Sequence, residues 1–202
     1  MPTVLTRQIR RADIVAMAVR LLKGAFTVDD YHRLGELGVF HEDDRVELLD
    51  GEIVEMTPIG FPHAGCVAAL VRILLTGVGT RAVVWPQQPI RLSERSLPEP
   101  DVTLLRPRQG MYRDAAAEPR DVLLLIEVSD TSLRRDRELK VPLYAGAGIA
   151  EYWIADVQGD VIEVHTNPPG SRYESVRRLG RGELLSPLAF PDLRVAVDEV
   201  FG

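Results

Sequence analysis

The sequence has one cysteine, Cys66, in 202 residues. That excludes an internal disulfide framework and a cysteine-built zinc site, and it fits a reducing compartment, so the expected location is the cytoplasm. Long apolar runs are also missing. Stretches such as Val122 to Ile126 and Ile53-Val54 fall far short of the roughly 20 residues of a bilayer crossing, so no membrane segment is expected. No fixed-period repeat or low-complexity tract appears, which removes solenoid and disordered classes. No serine or cysteine nucleophile motif is evident, which argues against a metal-free hydrolase using Glu127 and His63 as acid and base. Two hundred and two residues at 46% hydrophobic, 27% charged and 6% aromatic describe an ordinary globular chain, about one domain or a domain with an extra arm.

An excess of positive charge is lacking too. Twenty-four Lys and Arg against 30 Asp and Glu give a net charge of −6, unfavourable for a nucleic-acid binder, which usually presents a basic face to phosphates. The distribution is more informative. Residues 1–25 carry Arg7, Arg10, Arg11, Arg20 and Lys23 against Asp13 alone, so the arm is basic and the body more acidic than the total suggests. From Arg11 to Leu22 the apolar residues Ile14, Val15, Met17, Ala18, Leu21 and Leu22 fall at helical spacing, predicting an amphipathic, packing or dimer-contacting helix. Its short, charge-studded apolar section argues against a signal peptide.

From residue 26 onward, strand signals interleave with helices. Thr27 followed by Asp29 and Asp30 predicts a capped helix to about Gly35 or Leu37. Two alternating runs, Arg45 to Leu49 and Glu52 to Met56, flank Asp50-Gly51, which suits a tight primed turn and predicts a hairpin. Pro62 opens a helix with Val67, Leu70, Val71, Leu74 and Leu75 on one stripe, ended by Gly77 and Gly79. Strands are predicted at 81–92, broken near Pro86 and Pro89, and at Asp101 to Leu105, with an exposed excursion at 107–119. Val122 to Val128, apolar on both faces, reads as a central strand. A helix over 133–147, disturbed by Pro142, and a strand meander from Glu151 complete a single α/β (α+β mixed) domain over residues 26–202.

Three carboxylates stand where carboxylates are costly. Alternation puts Glu127 at the end of the row Leu123, Leu125, Ser129, and Asp101 at the start of the preceding strand, while Glu47 shares a face with Leu49. Each could be a strand-end residue already in solvent. Together they offer the oxygen-rich cage that Mg²⁺ prefers. After Glu127, Asp136, Lys140 and Tyr144 recur at four-residue spacing on one helical face. Lys140 is either half of an ordinary ion pair on a solvated side or a cation turned toward the carboxylates. Tyr152 and Trp153 read as core or interface. An amphipathic arm and a hairpin around Trp153 are the surfaces available for a two-fold homodimer.

The ordered set Val46-Glu47-Leu48-Leu49-Asp50-Gly51-Glu52, His63, Pro100-Asp101-Val102, Ile126-Glu127-Val128-Ser129, Asp136 to Lys140 to Tyr144, and Gly148-Ile149-Ala150-Glu151-Tyr152-Trp153-Ile154 resembles the bacterial "putative restriction endonuclease" family. That family was formerly a domain of unknown function and belongs to the PD-(D/E)XK nuclease superfamily. The resemblance implies a restriction-endonuclease-like core, a mixed sheet flanked by helices, with a Mg²⁺ site (Mn²⁺ as substitute) at the sheet end. It maps the metal ligands to Asp101 and Glu127, with Glu47 completing the shell. The superfamily lysine belongs two positions after the glutamate, where this chain has Ser129; Lys140 on the following helix is the matching residue. The implied activity is endonucleolytic hydrolysis of DNA, with His63, Gln88 and Ser129 as supporting residues. Arg134, Arg135 and Arg137 would take phosphate. The alternative is a catalytically decayed nuclease scaffold that acts as a nucleic-acid or protein-interaction module.

Overall fold

The computed structural model describes residues 26–40 and 44–202; the basic arm of residues 1–25 and its predicted helix lie outside them. Helix α1, Val28–Glu36, begins as its cap demands: the Asp30 N–H donates to Thr27 Oγ1 at 3.2 Å and the Thr27 N–H returns to Asp30 Oδ2 at 3.0 Å. Strands β1, Val46–Leu49, and β2, Glu52–Glu55, form the expected hairpin, with Leu49 opposite Glu52 and positive φ at both Asp50 (45°) and Gly51 (84°). The hairpin stands apart from the main sheet. It is tied to it through Leu97, whose N–H donates to the Leu48 carbonyl at 2.8 Å, and it covers a small core of Phe26, Val28, Leu34, Leu48 and Leu97.

The main sheet has six strands in the order β3-β4-β5-β6-β7-β8: Val83–Pro86, Val102–Leu105, Val122–Ser129, Glu151–Asp156, Val161–Thr166 and Ser175–Leu179. All neighbours are antiparallel except β5 and β6. Their parallel pairing requires a crossover, supplied by α3, a helical run over 133–146. Its middle turn, Asp136–Lys140, is a π turn in which the Val141 N–H reaches back five residues to the Asp136 carbonyl. Pro142 falls in the first turn of the last piece, Val141–Gly146, where its missing N–H costs little.

Helix α2, Phe61–Val78, buries Cys66, Val67, Leu70, Ile73, Leu74 and Val78 on one face of the sheet, beside Leu124, Ile126 and Val128 and the short C-terminal helix α4, Val197–Phe201. By length and composition alone, Phe61–Arg81 would suffice to cross a bilayer, at a mean hydropathy of 1.6. The expectation of no such segment rested on uninterrupted apolar runs, which Arg72 and the glycines break up; the helix spends its apolar stripe on the sheet. Gly77 does not end it. A Cβ there would lie 2.2 Å from Leu193 Cδ1, so Gly77 admits Leu193 against the helix, and Gly79, at φ 55°, makes the stop.

The other sheet face packs Leu125, Tyr152 and Ile154 against Tyr144, Ala145 and Ile149, together with Ile90, Tyr112 and Ala117. The excursion over 107–119 is therefore anchored by two buried side chains. The strand predicted across 81–92 is shorter, because a positive φ at Gln87 and a bridge at Ile90 turn the chain away. A register shift between Leu104 and Leu105 corrects the alternation read for β5: Val122 packs with the Leu125 side and Leu123 with the Leu124 side. Beyond the shift the predicted alternation resumes and puts Glu127 and Ser129 on the α3 face. Trp153 is fully buried, so it belongs to the core and offers no surface to a second copy.

Candidate active site

Four elements converge at one end of β5. Strand β1 brings Glu47, the residue before β4 is Asp101, β5 ends in Glu127 and Ser129, and the π turn of α3 carries Asp136 and Lys140. All six side chains are buried. Burial of this many charges requires partners, and they are present. The Lys140 ammonium lies 2.8 Å from Glu127 Oε1 and 3.2 Å from Glu47 Oε2. The Tyr144 hydroxyl donates to the same Glu127 Oε1 at 2.7 Å. Asp101 Oδ2 accepts the Val128 N–H at 2.8 Å and stands 3.2 Å from His63 Nε2. Asp136 Oδ2 accepts the hydroxyls of Ser129 and Ser132, each at 2.6 Å. Glu47 Oε2 also takes the Glu99 N–H at 3.3 Å, while Glu47 Oε1 is buried with no hydrogen-bond partner.

The π turn explains why Lys140 points inward. Ordinary spacing already stacks positions 136, 140 and 144, and the wider turn, with Leu139 left exposed, sets both Asp136 and Lys140 toward the sheet. Burial opposes the lysine's charge, but the carboxylates of Glu127, Glu47 and Asp136 outweigh it and hold its pKa above the usual lysine value. The three carboxylates thus favour the ammonium form of Lys140, a donor and not a base. Burial pushes Glu127 well above the usual carboxylate range, with Lys140 opposing and Asp101, Asp136 and Glu47 adding to the rise. Burial likewise raises Tyr144, which stays a phenol and a donor. Cys66 is buried on α2 and its thiol is pushed up to about 12 by that burial, which removes it as a nucleophile.

A cavity of about 40 Å³, room for an ion and a little water, opens between these groups. Asp101, Glu127, Asp136, Lys140, His63 and Ser132 line it, along with Arg45 and Arg135 and the Met56-Thr57-Pro58 loop. Glu47 meets Glu127 on the Lys140 ammonium and is not one of the lining residues. Among the described residues, no three His, Cys, Asp or Glu side chains are arranged as a ready metal group. Four carboxylates line the cavity, among them Asp101 and Glu127 from adjacent strands. That pair suits Mg²⁺, which takes one or two carboxylates and fills its remaining positions with water and substrate oxygens.

The other expected site residues are dispersed. Ser129 supports Asp136, and His63 supports Asp101. Gln88 is exposed, and its neighbour Gln87 touches the site only through a backbone N–H donated to the Asp101 carbonyl at 3.0 Å. Of the three arginines, Arg135 lines the cavity; Arg134 pairs with Glu138 at 2.8 Å, and Arg137 forms a two-pronged contact with Glu163 on β7. Arg45 escaped the sequence reading, because an arginine opening a hairpin strand carries no distinguishing spacing.

A mixed six-stranded sheet flanked by helices, with a crossover helix between its two parallel strands, defines a nuclease-like fold. A family model described as "Putative restriction endonuclease", Uma2, matches residues 28–198. The chain belongs to the Uma2 family. Among solved structures it is similar to a crystal structure of a putative nuclease belonging to DUF820 from Anabaena variabilis ATCC 29413, with a TM-score of 0.66 and 14% identity over 87% of this chain and 97% of that one. At that identity the likeness speaks for the fold. No curated protein matches.

Proposed function

We propose that this protein is a metal-dependent endonuclease that hydrolyses phosphodiester bonds in DNA. The observation that carries the reading is the joint presence, in one cavity, of Asp101, Glu127 and a buried lysine held on Glu127. Asp101 and Glu127 would hold Mg²⁺, or Mn²⁺ in its place. Bound there, the ion would neutralise charge on the phosphate and supply an activated water.

The chain's own residues do the rest. Lys140 stays charged, so its N–H groups orient the attacking water and stabilise the charge that builds on the phosphate. Glu47 fixes Lys140 from the hairpin, and Tyr144 and Lys140 together fix the Glu127 carboxylate. His63 and the Val128 N–H hold Asp101 in one rotamer, leaving its other oxygen for the cavity. Arg135 receives phosphate. The P–O3′ bond breaks, and the leaving oxygen takes its proton from solvent.

Nicking of supercoiled plasmid with Mg²⁺, Mn²⁺ or EDTA tests this. Cleavage is expected only with the ions and should fall on the order of 10²-fold or more in each of Glu47→Ala, Asp101→Asn, Glu127→Gln and Lys140→Ala. Unchanged cleavage in all four, or in EDTA, refutes it. One observation favours the second reading, a decayed scaffold serving as a binding module: Lys140 occupies the place where Glu47 and Glu127 would otherwise meet. Melting with millimolar Mg²⁺ separates them, since an ion at ten times its Kd adds about 1.4 kcal/mol. No shift favours the module.

A further inference from the structure

We infer that Arg45 and Arg135 form a two-guanidinium clamp that grips one phosphate group of the nucleic-acid strand inside the Asp101–Glu127 cavity. Thr57 is the anchor they share. The inference rests on the nuclease reading of that cavity and names the groups that would receive its substrate.

The two side chains come from different elements, Arg45 just before β1 and Arg135 from the first turn of α3, and both line the cavity. Backbone and hydroxyl oxygens hold them. Arg45 Nη1 donates to the Thr57 carbonyl at 3.2 Å; Arg135 Nη1 donates to the Glu55 carbonyl at 2.6 Å and its Nη2 to Thr57 Oγ1 at 3.2 Å. The backbone of Arg45 is pinned as well, its carbonyl accepting the Met56 N–H at 2.8 Å. Neutral oxygens position a guanidinium without cancelling its charge.

The contrast with the neighbouring arginines is instructive. Arg134 and Arg137 are spent on Glu138 and Glu163. Among the described residues, neither Arg45 nor Arg135 has a carboxylate in contact; Glu99 acts on Arg45 only from a distance. Each guanidinium carries five N–H donors, and these bonds use only a few of them. Arg135 Nε is buried and has no partner at all, an unmet donor that calls for an oxygen. The lining carries four acids, Asp101, Glu127, Asp130 and Asp136, against Arg45, Arg135 and Lys140. Lys140 is already committed to Glu127 and Glu47, so the arginines are the cations left to meet an incoming phosphate, for which a planar fork is well shaped.

Binding of a fluorescein-labelled single-stranded 12-mer, followed by anisotropy in EDTA so that no cleavage intervenes, tests the clamp. Arg45→Gln and Arg135→Gln should each weaken affinity roughly tenfold and flatten the salt dependence, reducing the slope of log K against log[salt] by about 0.7 per lost contact. Arg→Lys at either position should recover the slope but only part of the affinity, because the fork is lost. Thr57→Val, which keeps both charges and frees Arg135 Nη2, should weaken binding by a smaller factor. A single methylphosphonate linkage at the gripped position should cost the wild type affinity and cost Arg45→Gln nothing further. Unchanged affinity and slope in both glutamine variants, with melting temperatures matching wild type, overturn the clamp. Binding with these signatures but without cleavage in Mg²⁺ would sink the enzyme reading alone; cleavage with unaltered KM in both variants would sink the clamp alone.

Discussion

Removing the Lys140 ammonium should be the most costly single change in the site, and the structure sets its size. Lys140→Met keeps much of the chain's bulk but leaves Glu47 and Glu127 buried without their shared cation, with Tyr144 as the remaining donor on Glu127. Breaking a buried pair from one side typically costs about 3–5 kcal/mol. For a chain of this size, where 1 kcal/mol shifts Tm by roughly 2–4 °C, that is a fall on the order of 10 °C. The deficit should depend on pH with a definite sign. Glu127 has its pKa raised by burial, so the folded state holds that proton more tightly than the unfolded chain does. The carboxylate's penalty is absent below the unfolded value of about 4.3 and grows as pH rises through the folded value. Lys140→Met raises Glu127 further, so the gap to wild type should narrow on acidification. Urea unfolding at pH 7 and pH 5 measures both quantities. Adding Glu47→Gln to Lys140→Met should recover part of the loss. A Lys140→Met protein within 1 kcal/mol of wild type at pH 7, or a gap that widens toward pH 5, would refute the picture of a buried charge held by its neighbours.

Two further predictions concern the frame. Gly77→Ala forces a methyl to within 2.2 Å of Leu193 Cδ1 and should destabilise by about 1–3 kcal/mol; Leu193→Ala in the same background should relieve part of that, and simple additivity of the two would count against the clash. His165 is buried beside Tyr152 and Tyr173, and burial lowers its pKa against the opposing pull of Glu163. Its contribution to stability is fully present above the unfolded value of about 6.5 and is lost as pH falls through the lower folded value. His165→Phe should flatten the stability profile below pH 6.5, and an unchanged profile would show that other groups set it.

Much of the frame was legible because local chemistry and tertiary need agree. Thr27 and Asp30 close a capping box, Asp50-Gly51 adopts the positive φ values a tight hairpin requires, and the doubly apolar run from Val122 becomes the strand covered on both faces. The ordered carboxylates were legible for a related reason: Glu47, Asp101 and Glu127 interrupt apolar patterns at positions where an acid must have a partner. What could not be read was set by three-dimensional detail. The register shift at Leu104/Leu105 exchanges the facings of Val122 and Leu123, and period-two counting does not see it. The π turn that aims Lys140 depends on packing. Arg134, Arg135 and Arg137 look alike in sequence, yet their fates are decided by Glu138, the Thr57 loop and Glu163 respectively.

Carrying the lysine on α3 instead of on β5 changes what holds it in place. A lysine at position 129 would be placed by the strand itself and would be ready once the sheet had paired. Lys140 reaches Glu127 only after the crossover helix has docked, held by Asp136 on Ser129, by Arg137 on Glu163 and by Tyr144 on Glu127. The carboxylates and their cation are thus brought together by helix packing, and a tilt of that helix would part Lys140 from Glu127 while leaving every strand in place.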